Sequence, residues 1–104
     1  MVKIHGNWCG PNWTAGQNES AADYRARGGN FRSKCIDKID CACRTHDKEC
    51  SGPLGCSASA DTKLIQACNR FLANPLNAIF SPITYAKARV IAEGISLARP
   101  FRRH

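Results

Sequence analysis

The chain has 104 residues, which is enough for a modest core, and we predict a single domain over residues 1–104. Its 15 lysines and arginines outnumber its 8 acidic residues, so the net charge of +7 favours anionic partners. No apolar run approaches the roughly 18 residues that span a bilayer, so we expect any membrane contact to be peripheral.

The first half of the chain predicts a loop followed by a helix. Glycine and asparagine recur so often in the first thirty residues that only a short helix, around residues 20–27, fits there. Asp37 is then a candidate N-cap for a helix that runs to about Cys50. The sequence Ser51-Gly52-Pro53 stops this helix.

The second half of the chain predicts two further helices. One begins near Ser59, presents apolar residues at helical spacing and ends near residue 73, before Asn74-Pro75. The other begins with Ser81 as N-cap and Pro82 in its first turn, and runs to about residue 98. We therefore predict a mostly α fold with two antiparallel core helices and a C-terminal helix.

Seven cysteines in so short a chain predict a disulfide-stapled domain in an oxidising compartment, with one cysteine unpaired. We thus expect a secreted or extracellular protein. Because residues 1–5 lack the apolar block of a signal peptide, we expect the chain to be either a mature form or a domain excised from a longer protein. A zinc site in a reduced protein is the alternative. Its candidate ligands, Cys41, Cys43, His46 and Cys50, match known zinc spacings poorly.

Basic residues are concentrated at residues 25–38 and 99–103. Neither segment has aromatic residues interleaved as they are in surfaces that stack on bases, so we predict no nucleic-acid partner. An anionic membrane surface explains the charge, and so does a merely solubilising surface.

His46 occupies an unusual place in the first long helix. At about 100° per residue it shares a stripe with Ile39, Cys43 and Cys50, which must face the core if the cysteines are bonded. A histidine there is either a satisfied core residue or a functional one. Asp47 lies on the flank of that stripe and needs a partner, because an unpaired buried charge is costly.

Asp61 lies on the apolar stripe of the second long helix. An acid in the first turn of a helix is ordinary, because it interacts favourably with the helix dipole. The functional interpretation is that Asp61 faces His46 across two packed helices, accepts its ring N–H and sets its tautomer. Spacing alone leaves both interpretations open.

The segment at residues 8–13, Trp-Cys-Gly-Pro-Asn-Trp, is a compact turn able to aim several backbone carbonyls at one point. Calcium prefers such oxygen ligands together with a carboxylate. The Trp-Cys-Gly-x-x-Trp-Thr loop and the Cys-x-x-His-Asp sequence that ends at Asp47 together resemble the calcium loop and catalytic helix of secreted phospholipases A2. The loop is most similar to plant and microbial forms, and the start of the second long helix resembles parvoviral phospholipase domains.

The resemblance implies calcium-dependent hydrolysis of the sn-2 ester of glycerophospholipids at a membrane surface. It implies backbone ligands to Ca²⁺ from Trp8, Gly10 and Asn12, and a carboxylate ligand from Asp47. It also implies that His46 is the general base, oriented by Asp61.

The resemblance further implies a disulfide between Cys9 and Cys43, and an apolar mouth near Trp8 and Trp13. The sequence departs from the family in three ways. Asn12 replaces a glycine, Ala42 separates two cysteines that are adjacent in vertebrate enzymes, and Cys50 stands where many members have a tyrosine that donates a hydrogen bond to the orienting acid. A catalytically silent lipid-binding or toxin-like module of the same fold is therefore the alternative.

Overall fold

The computed structural model describes residues 3–102, and within that range the fold is mostly helical. Five α-helices and a final 3-10 turn follow one another in this part of the chain: α1 (Ala21–Ala26), α2 (Lys38–Cys50), α3 (Ala58–Ala73), α4 (Pro75–Phe80), α5 (Pro82–Ala98) and the turn at Arg99–Phe101. None of these helices is long and apolar enough to cross a membrane.

The helix starts follow from local capping. The Asp37 carboxylate accepts the Asp40 N–H at 2.8 Å, as predicted, and Ser20 caps α1 in the same way. Helix α3 begins at Ala58, close to the predicted start near Ser59, and its N-cap is Ser57, whose hydroxyl accepts the Ala60 N–H. The Ser81 side chain makes no capping hydrogen bond, so α5 starts with Pro82 alone as its local signal.

The short helix α4 was not predicted. Asn74-Pro75 ends α3, as expected, but the same two residues also begin α4. The Asn74 side chain accepts the Leu76 N–H at 3.1 Å, and Pro75 occupies the first helical turn, where its missing N–H costs nothing.

The core lies around α3, which packs against both α2 and α5. The side chains of Ile39 from α2, Leu64 and Cys68 from α3, and Ile91 from α5 are buried together. Trp8 joins this core from the N-terminal loop, with its ring centroid 5.8 Å from those of both Tyr24 and Phe31. The loop is thus part of the hydrophobic core and holds a fixed place against α2.

Candidate active site

The N-terminal loop is organised by a buried carboxylate on α2. Asp40 is fully buried and accepts the backbone N–H groups of Asn7 at 3.1 Å, Trp8 at 2.9 Å and Ile36 at 2.9 Å. Three such bonds offset the cost of burying the charge. Gly6 lies against this carboxylate with a φ of 61°, and a Cβ at this position would overlap the Asp40 side chain.

Three disulfides are formed within residues 3–102, and they confirm the predicted staple of the loop. Cys9 is bonded to Cys43, which ties residues 8–13 to α2 one turn before Asp47. The other pairs are Cys35–Cys41 and Cys50–Cys56, so Cys68 is the unpaired seventh cysteine. Burial raises the pKa of the Cys68 thiol to about 11, which makes it unreactive.

The disulfides remove the zinc alternative for this oxidised protein. Ligand atoms of His46, Cys50 and Cys56 lie within 4.8 Å of one another, but the two sulfur atoms are bonded to each other. Cys41 and Cys43 are also in disulfides. Zinc is bound by thiolates, and none of these four cysteines can supply one.

His46 and Asp61 are in direct contact across α2 and α3. The His46 Nε2 atom lies 2.6 Å from Asp61 Oδ1, and Asp61 is fully buried. A carboxylate can only accept, so Nε2 carries the proton and Nδ1 has a free lone pair. Among the described residues, the one contact of Nδ1 within hydrogen-bond range is the bonded sulfur of Cys50 at 3.8 Å, which has no proton to donate.

The second oxygen of Asp61 has a partner that the sequence did not predict. Arg102, just after the C-terminal 3-10 turn, donates from Nε to Asp61 Oδ2 at 3.0 Å. The resemblance had left this oxygen without an expected donor, because Cys50 stands where a tyrosine is expected, and Arg102 supplies one. Arg102 was visible in the sequence only as one of the basic residues at 99–103, and nothing local distinguished it from a solvated charge.

Among the described residues, Asp47 is the one carboxylate of the site without a hydrogen-bond partner. Its Oδ2 atom is buried and has no hydrogen bond within the described part of the chain. Burial, and to a smaller extent the nearby charge of Asp40, raises the pKa of Asp47 from 3.8 to about 8. A buried carboxylate oxygen without a hydrogen-bond partner is chemically suited to bind a cation.

One cavity of about 460 Å³ brings these groups together. Its lining includes His46, Asp47 and Arg102, together with Trp8, Gly10 and Asn12 of the loop. Helix α5 contributes an apolar part of the wall, which includes Val90, Ile91, Gly94 and Ile95. Trp13 is not among the described residues that line the cavity; its indole N–H donates to the Gly6 carbonyl at 3.0 Å.

The loop residues that line the cavity together with Asp47 have backbone oxygens with few hydrogen-bond partners. Within residues 3–102, the carbonyls of Trp8 and Asn12 accept no backbone hydrogen bond, and Gly10 accepts one, from the Trp13 N–H at 3.2 Å. Asn12 has a φ of 53°, a conformation that asparagine tolerates better than most residues. Oxygen donors from one turn and an unpartnered carboxylate are the donor set that calcium prefers, so the residues fit this ion.

No protein-family model, curated protein or solved structure shows significant similarity to this chain.

Proposed function

We propose that the protein is a calcium-dependent phospholipase A2, which hydrolyses the sn-2 ester of glycerophospholipids with water activated by His46. One observation carries the proposal: His46, paired at 2.6 Å with buried Asp61, lines the same cavity as Asp47 with its unpartnered carboxylate oxygen. The fold we propose is that of a calcium-binding N-terminal loop held by a disulfide against two antiparallel core helices.

The chain's own residues account for the proton transfers. Nδ1 of His46 accepts a proton from water while the water oxygen bonds to the ester carbonyl carbon. The positive charge that develops on the ring is balanced by Asp61. The same proton then passes to the departing glycerol oxygen as the bond from the carbonyl carbon to that oxygen breaks. The products are a fatty acid and a lysophospholipid, and His46 returns to its starting state.

Trp8, Gly10 and Asn12, through their carbonyls, and Asp47, through its carboxylate, would hold the calcium ion. The chemistry that calcium supplies in such a site is Lewis-acid polarisation of the ester carbonyl and attraction of the phosphate. The Gly10 N–H is a candidate second donor to the carbonyl oxygen as it becomes negative. The apolar wall from α5 offers a surface for an acyl chain.

The charge distribution supports peripheral binding to an anionic membrane. Three of the eight acidic residues, Asp40, Asp47 and Asp61, have their carboxylates turned into the protein, whereas the basic residues are mostly exposed. The outer surface is therefore more cationic than the net charge of +7 indicates. A secreted location is part of the proposal and is supported by the three disulfides.

The test is fatty-acid release from phosphatidylglycerol and phosphatidylcholine vesicles, each with calcium and with a chelator. The proposal expects release that requires calcium, is faster on the anionic vesicles and is lost in His46→Gln. Release that persists in the chelator, or in His46→Gln, would overturn the mechanism. Vesicle binding without any release would instead identify the catalytically silent module.

A further inference from the structure

The basic residues that follow α5 are not all a solvated tail. Two arginines of this segment contact the first turns of α3: Arg102 donates to Asp61 Oδ2 at 3.0 Å, and Arg99 donates from Nε to the Thr62 hydroxyl at 2.8 Å. Asp61 and Thr62 are neighbours in sequence. Both contacts therefore hold the C-terminal 3-10 turn against the first turns of α3, but only the contact of Arg102 involves a residue of the candidate active site.

The two oxygens of Asp61 have different partners from different parts of the chain. Oδ1 contacts His46 of α2, and Oδ2 contacts Arg102 after α5. Asp61 itself is fully buried, whereas the Arg102 side chain is one-third exposed and lines the cavity. A carboxylate held at both oxygens cannot rotate about its last bond, so the plane in which it meets the imidazole is fixed.

Charge gives the Arg102 contact a second consequence. A fully buried carboxylate is costly unless it is paired, and a neutral imidazole compensates it only in part. Arginine stays protonated throughout the ordinary pH range, so it balances the charge of Asp61 in the resting state. Asp61 then remains an acceptor, and the proton of the neutral His46 ring is held on Nε2.

We propose that Arg102 is a positioning residue: acting through Asp61, it holds His46 in the tautomer that leaves Nδ1 free to accept a proton. This rests on the proposed function insofar as the free Nδ1 is the catalytic base. The tautomer itself is a property of the protein whether or not it hydrolyses lipid.

A purely mechanical role for the C-terminal turn makes a different prediction. If the turn only braces α3, removing either arginine should have the same effect, because each makes one hydrogen bond to neighbouring residues of that helix. If Arg102 acts through Asp61, only its removal should alter His46. Arg99→Met is therefore the matched control for Arg102→Met, and in both variants methionine keeps much of the apolar stem.

The experiment measures the ¹⁵N chemical shifts of the His46 ring by NMR in the full chain, at about pH 8, where an ordinary imidazole is neutral. Wild type and Arg99→Met should show the Nε2–H tautomer. Arg102→Met should show a mixture with the Nδ1–H form, because Asp61 then relieves its unpaired charge by rotating or by taking up a proton. Arg102→Lys, which keeps a charge and a donor, should recover the wild-type shifts in part.

Kinetics on phosphatidylglycerol vesicles supplies the second readout. Arg102→Met should lower kcat by about 10- to 100-fold, as loss of an orienting partner typically does, with KM little changed. Arg99→Met should leave kcat within about 2-fold of wild type. An unchanged tautomer in Arg102→Met, or equal effects of the two methionine variants, would overturn the proposal. Inactive wild-type protein with a tautomer change in Arg102→Met would refute the phospholipase function and leave the positioning role standing.

Discussion

Asp47 provides a test of the site that needs no lipid, because the same carboxylate that would bind calcium destabilises the protein without it. We consider the substitution Asp47→Asn, which keeps the shape of the side chain and removes its charge. The folded protein raises the pKa of this carboxyl from 3.8 to about 8, mainly through burial, with its Oδ2 atom unpartnered. In the unfolded chain this carboxyl keeps its ordinary pKa of 3.8.

Protonation of Asp47 determines whether the free energy of unfolding rises or falls with pH. Between pH 3.8 and about 8 the folded protein retains a proton on Asp47 that the unfolded chain has released. The contribution of the Asp47 carboxyl to the free energy of unfolding is therefore at its full value below pH 3.8, and it is lost as the pH rises to about 8. The loss is at most about 1.4 kcal/mol per pH unit, and screening by solvent at the partly exposed residue reduces it.

The assay is urea unfolding of both proteins, with disulfides intact, at about pH 5 and about pH 8 in a chelator. Between about pH 5 and about pH 8, the free energy of unfolding of the wild type should fall by about 1 to 4 kcal/mol more than that of Asp47→Asn. Calcium at about 100 times its dissociation constant should return about 2.7 kcal/mol to wild type and nothing to the variant. Equal pH dependence in the two proteins would refute the buried carboxyl, and equal stabilisation by calcium would refute Asp47 as its ligand.

Three further substitutions test the rest of the site. His46→Gln should lower turnover by at least about 10²-fold with calcium affinity unchanged, since it removes only the base. Vesicle kinetics measures the turnover and calorimetry the calcium affinity. Near-normal turnover would eliminate His46 as the base. Asp61→Asn should likewise spare calcium binding but lower turnover, because an amide can hold the imidazole in the wrong tautomer, whereas a dipole-only role costs at most about 1 kcal/mol of stability and no activity. Gly94 is an exposed glycine of α5 that lines the cavity, with nothing within 4 Å of a Cβ built there. Gly94→Leu should keep or raise stability, because glycine is a poor helix former, yet slow hydrolysis of long-chain more than short-chain lipids; equal rates on both would place the acyl chain elsewhere.

The helices were predictable because their signals are local. The cap of α2 and the breaker after it lie within a few residues of the helix they delimit, so the sequence alone located its ends. The α4 helix was missed for a related reason. Asn74-Pro75 is a stop signal for the preceding helix and a start signal for the next, and sequence patterns do not show that both apply.

The contacts that complete the site were not predictable because they join distant parts of the chain. Arg102 and Asp61 are 41 residues apart in sequence, and Asp40 accepts the N–H of Asn7 from 33 residues away. Periodicity places a side chain on a face of its own helix but does not say which loop or terminus covers that face. The contact between His46 and Asp61 was expected, but helical spacing alone left it open and the family resemblance favoured it.

The three carboxylates turned into the protein differ in how fully their hydrogen-bonding capacity is used, and this difference separates structural from functional roles. Asp40 accepts three backbone N–H groups, which occupy most of the roughly four acceptor sites of a carboxylate, so it serves the loop. Asp61 is shared between His46 and Arg102, so it serves another side chain. Asp47 keeps a buried oxygen with no partner among the described residues, and it lines the same cavity as residues 8–12 of the N-terminal loop. A buried polar atom without a partner costs about 1 to 3 kcal/mol, so its presence calls for a compensating interaction. A cation bound at Asp47 would supply that interaction, so the proposed function depends chiefly on the calcium test at this residue.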